Sequence, residues 1–163
     1  MFRQLTDADR RQAFNRIAES DDAAELARLA ENAAAAGEME VLKAAKLRLY
    51  AVSPSQEPGT LEHAVWQSIH ALEGTLSDES GTTKRLSRTR QKIKRDGEQK
   101  TVADLVMGNP TPGFAMLFAR DMVDLTFEAV ALRFPERFSY DVLQAAQARL
   151  TKVSSGQGLA AAL

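Results

Sequence analysis
Cysteine is absent from the chain, and that one gap removes disulfides, thiolate metal sites and cysteine nucleophiles together. The gap suits a reducing compartment, so a cytoplasmic location is the expectation. Histidine is almost absent too. His63 and His70 are the only two, and on one helix two turns place them ~10 Å apart along the axis. A single metal whose ligands sit about 2 Å away cannot take both, so no metal site is expected.

Long apolar runs are missing, and nothing approaches the ~18 residues of a membrane span. The opening "MFRQLTDADRRQ" carries charge where a signal peptide needs its apolar core. No nucleophile elbow, phosphate loop, dinucleotide glycine pattern or HExxH occurs. "GNPTPG" has two glycines, but its prolines lack the N–H groups that a phosphate cradle uses. Glu62, Glu73, Asp104, Asp121, Asp124 and Glu128 offer carboxylates, yet nothing marks any two as acid and base. The expectation is a non-enzymatic protein with no cofactor and no catalytic residue.

Alternation with period two is also lacking, whereas repeats of three or four residues run through the chain. The fold class expected is all-α, about eight helices and no sheet. Thr6 is placed to cap a first helix. Ser20 is placed to cap a second, with Leu26, Leu29, Ala30 and Ala33 on one face and Gly37 as its stop. A third follows with Leu42, Ala45, Lys46 and Leu49 at helical spacing. A break of one glycine between amphipathic helices predicts an antiparallel hairpin, and residues 1–52 are read as that N-terminal region. "SPSQEPG", residues 53–59, reads as a linker.

Residues 60–152 read as a compact helical domain and 153–163 as a tail. Thr60 opens a long helix whose Leu61, Val65, Ile69, Leu72 and Leu76 form a buried seam. Thr101 is expected to cap a short "VADLVM", Thr126 to cap "FEAVALRF", and Ser139 to cap the last helix. "MLFARDMVDLTFEAVALRF" has the outline of a helix-turn-helix. Its reading positions, Thr126, Phe127, Glu128 and Ala129, make a poor base-reading surface. Its aromatic and methionine side chains fit a core instead.

What the chain does have is one concentrated charge. The net charge is −1, but residues 1–80 hold eight basic and fourteen acidic side chains, and residues 81–100 hold eight and two. Between Lys84 and Arg95 lie Lys84, Arg85, Arg88, Arg90, Lys92, Lys94 and Arg95, with no acid among them. On a wheel with ~100° per residue, Leu86 and Ile93 fall together and the seven cations spread over more than half the circumference. The helix is expected to dock on those two aliphatics alone and to stop at Gly97. A helix that merely faces solvent interleaves acids at i,i+4, and this one is read as lacking them.

Phosphate contact is the first reading: Lys and Arg release counterions from DNA or RNA, and Gln91 adds a hydrogen-bonding arm. The expected nucleic-acid contacts are therefore Lys84, Arg85, Arg88, Arg90, Gln91, Lys92, Lys94 and Arg95. A second reading makes the basic helix the dock for an acidic protein, or for the chain's own acidic N-terminal half. A third leaves it a solvated face. A homodimer would double the charged surface, and no membrane partner is expected.

Overall fold
The computed structural model describes residues 4–155. Among these residues the chain forms nine α-helices and two short 3-10 turns, with no strand. The helices are α1 Asp7–Glu19, α2 Ala23–Ala36, α3 Met39–Val52, α4 Leu61–Ser80, α5 Ser87–Asp96, α6 Glu98–Met107, α7 Pro112–Ala119, α8 Phe127–Arg133 and α9 Tyr140–Ser154. They divide into two compact units at Ser55 and Gln56. No helix is long and apolar enough to cross a membrane.

The first unit holds α1, α2 and α3. Thr6 starts α1 with a capping box, accepting from the Asp9 N–H at 3.2 Å while its own N–H reaches Asp9 Oδ2 at 2.9 Å. Ser20 does not cap α2. Asp22 does, accepting from the N–H groups of Ala24 and Glu25. An N-cap oxygen must reach the second or third amide of its helix, and Ser20 lies two residues too early. Its backbone ends α1 instead, and its hydroxyl donates to Glu25 Oε2 at 2.8 Å.

Gly37 closes α2 at φ 72°, with Glu38 N–H on Ala33 O and Gly37 N–H on Ala34 O. This left-handed 6→1 and 5→2 closure is the natural use of a glycine. Arg48, near the end of α3, donates to Ser20 O at 2.9 Å and pairs with Asp21. The end of α3 therefore lies beside the start of α2, and the hairpin is antiparallel. Leu26, Ala30 and Ala33 of α2 are buried with Val41 and Ala45 of α3 and Ile17 of α1. Small side chains on both helices let the backbones approach closely.

The second unit is organised by α4. Leu61, Val65, Ile69 and Leu72 are buried, as the 4, 4, 3 repeat requires, and α6, α7 and α8 pack against this helix. α9 lies on α6 and α8, while α5 lies on α6. Thr60, Thr111, Thr126 and Ser139 each accept from the third amide of the helix they open. Thr101 does not. α6 begins at Glu98, directly after Gly97 at φ 86°, and the buried Thr101 hydroxyl donates to Gly97 O at 2.8 Å. The positive φ of Gly97 turns the chain within one residue, and α6 starts there without a side-chain cap.

The helix-turn-helix outline dissolves into core. Thr126 and Glu128 are 1% and 5% exposed, and Arg149 donates to Glu128 Oε1 at 2.5 Å. Phe114 and Leu117 are buried, and the Phe114 and Phe118 rings stack with centroids 6.5 Å apart. Of the predicted tail, Val153 and Ser154 belong to α9, and residues 156–163 lie outside the described residues.

Candidate nucleic-acid interface
The basic stretch is built in two pieces. Residues 84–86 are a non-helical lead into α5, and α4 holds them there. Lys84 N–H donates to Ser77 Oγ at 2.8 Å, and Leu86 N–H donates to Glu73 Oε1 at 2.8 Å. Helix α5 then starts at Ser87 with no side-chain cap of its own and stops at Gly97. Ile93 is 6% exposed, and Leu86 packs on the same core cluster. Leu86 and Ile93 form the apolar edge that the wheel assigns. The expectation that they seat the helix alone is corrected, because Arg90 and Lys92 also bind it to α4 and α6.

The seven cations then divide. Arg90 is claimed by the body of the protein. Its Nε and Nη2 each lie 2.7 Å from the Glu73 carboxylate. Its Cζ sits 5.0 Å from the centre of the Trp66 ring. Trp66 in turn donates from Nε1 to Glu98 at 3.0 Å. A bidentate guanidinium–carboxylate pair adds charge-assisted hydrogen bonds to fixed geometry, and the ring beneath it adds a cation–π contact.

Lys92 is held as well, 2.6 Å from Asp104 and 2.9 Å from Asp96. Arg95 reaches Asp96 with two nitrogens at 2.9 and 3.0 Å, but its side chain stays mostly exposed. The expectation that no i,i+4 acid offsets the helix is thereby corrected: Asp96 stands four residues after Lys92. The acid-free run ends at Arg95, one residue before it.

Lys84, Arg85, Arg88 and Lys94 are exposed, and none meets a carboxylate among the described residues. Gln91 is exposed beside them. On the helix, Arg88, Gln91 and Arg95 follow at three and four residues and share the solvent side, with Ser87 and Lys94 along one edge. The eight predicted contact residues are thus one open strip with two flanks tied down.

Electrostatics follow the same division. The Arg90 guanidinium is raised by its hydrogen bonds and charge pairing with Glu73. Burial pushes the Glu73 carboxyl up, but the Arg90 hydrogen bonds, the Leu86 N–H and the Arg90 charge outweigh it and leave it below its ordinary value. Asp96 is held far below the usual carboxylate range by hydrogen bonds from Arg95 and Lys92. Hydrogen bonds from Lys92 and then Lys100 lower Asp104. His70 is lowered first by burial, with Glu73 opposing and Arg90 and Arg85 adding to the effect.

The acids that meet the helix come from its own unit. Residues 1–55 carry eight bases and nine acids, so the acidic excess of residues 1–80 sits in 56–80, which hold five acids and no base. Residues 56–155 balance at thirteen of each sign. Two of the partners that matter, Glu73 and Trp66, were absent from the sequence-level site. The signal for Glu73 was present, because an ionisable residue one position past Leu72 in an apolar seam needs a counter-charge.

Two of the remaining carboxylates pair with cations, Glu62 with Arg137 at 2.8 Å and Glu128 with Arg149. No group of three or more His, Asp or Glu among the described residues is arranged to hold a metal ion. No family model matches the chain, and neither a curated protein nor a solved structure matches it.

Proposed function
We propose that this is a small, non-enzymatic cytoplasmic binding protein that contacts DNA or RNA through phosphates. The contacts are Lys84, Arg85, Arg88 and Lys94, with Arg95 and Gln91 completing the strip. The observation that carries the reading is the four exposed cations without carboxylate partners within eleven residues, on a segment the core holds still. Preorganised charge loses little freedom on binding. Arg90 and Lys92 serve the fold in this reading and position the strip. Contact to phosphate implies weak sequence preference.

Fluorescence anisotropy with labelled duplex and single-stranded oligonucleotides tests it. Four to five phosphate contacts predict a slope of log K against log salt of about −4, so affinity drops by ~10²-fold between 50 and 200 mM salt. No binding to any nucleic acid at low salt ends the reading. The alternative occupant is an acidic protein surface. It draws support from the ease with which carboxylates already satisfy Arg90 and Lys92. An acidic polypeptide that binds where oligonucleotides do not would select it.

A further inference from the structure
Behind the basic helix the second unit keeps an apolar cavity of about 310 Å³. It lies among α4, α6, α7 and α8, and Leu86 and Thr89 of the basic segment form one wall. Packed interiors leave few voids larger than a water molecule, and small-molecule pockets start near ~300 Å³. Leu72, Leu105, Phe114 and Leu117 are among the side chains that make its surface.

Its polar groups are few and mostly committed. The Thr111 and Thr126 hydroxyls cap α7 and α8. Glu128 is the only ionisable residue in the lining and is 5% exposed. Arg149 engages its Oε1, and Oε2 has no partner among the described residues. No fully buried side-chain oxygen or nitrogen among these residues lacks a partner, so Oε2 keeps some accessible surface on a residue that lines the cavity. The Thr89 hydroxyl, on a half-buried residue in the wall that α5 supplies, has no hydrogen bond among the described residues.

We infer that this cavity is a binding site for a small, largely apolar, uncharged ligand that carries one hydrogen-bond donor for Glu128. The apolar walls favour a ring or short-chain body. The Glu128–Arg149 pair is neutral as a unit, which leaves no net charge for an ionic ligand to answer. A carboxylate ligand would place a second negative charge against Glu128. A hydroxyl donor fits the open lone pairs of Oε2.

The test uses three probes with one body: 2-naphthol, 2-methoxynaphthalene and 2-naphthoate, titrated calorimetrically into the full chain without nucleic acid. Saturable 2-naphthol binding is expected, ~10-fold tighter than 2-methoxynaphthalene, the difference one hydrogen bond makes, with 2-naphthoate weakest. Thr89→Trp fills the cavity from α5 and Met116→Trp fills it from α7. Each variant is checked for a retained cooperative melt, and either one folded should weaken 2-naphthol at least ~10-fold. Absence of saturable binding, equal affinity for the alcohol and its methyl ether, or undiminished binding in a folded filled variant overturns the proposal. Because no oligonucleotide is present, these outcomes are independent of the phosphate-binding reading.

Discussion
The open side of α5 and its two flanks differ in what they do with the same kind of side chain. On one flank Arg90 is locked between Glu73 and Trp66, and on the other Lys92 is locked between Asp96 and Asp104. Between them, Arg88 and Lys94 face water without a carboxylate. The lesson is that a run of cations is not one feature. Position relative to the buried edge decides which members become part of the fold and which stay available.

The largest effect expected is from Glu73→Ala. It strands Arg90 in a partly buried site and removes the acceptor for Leu86 N–H. Urea denaturation should show a loss of about 2–3 kcal/mol, below the full value for a buried pair because Arg90 is still one quarter exposed. A loss under ~0.5 kcal/mol would erase the distinction between the flanks and the open side.

Acid offers the same comparison without a mutation. The folded Glu73 carboxyl lies below its ordinary 4.5, so its pairing stabilises the protein above that value. The contribution is lost as pH falls through the folded value. Asp104, lowered by Lys92, and Asp96, lowered by Arg95 and Lys92, act in the same direction. Stability should begin to fall as pH drops below 6.5, where the unfolded His70 gains a proton that burial denies it in the fold. The carboxylates should add a steeper fall below about 4.5. Glu73→Gln should shallow that fall, as read from denaturation midpoints across the range. Trp66→Phe is milder. It keeps a ring under Arg90 but loses the N–H to Glu98, and should lower stability by about 1 kcal/mol.

The smallest stability effect belongs to the open side. Arg88→Ala with Lys94→Ala should move stability by no more than ~0.5 kcal/mol. The same double variant should shallow the oligonucleotide salt slope by about 2. If it instead unfolds the protein, the open side is not open.

Much of the architecture was legible. The threonine and serine caps at Thr6, Thr60, Thr126 and Ser139 are local chemistry, each a side-chain oxygen within reach of its own helix's amides. Ser20 and Thr101 misled because a cap depends on where the helix begins, and Asp22 and the positive φ of Gly97 settled that. The candidate site was half legible. Leu86 and Ile93 could be placed on a wheel, but Glu73 lies seventeen residues from Arg90, beyond any pattern of one helix.

The sequence by itself determined that the chain is helical, where most helices start and stop, and that one segment concentrates positive charge. Those properties depend on spacings of a few residues, and spacing is what a sequence records. Tertiary structure alone decided which cations are neutralised and that Glu128 lies inside. It also decided that α4, α6, α7 and α8 leave a cavity between them. Each of those depends on distances between residues that only packing brings together.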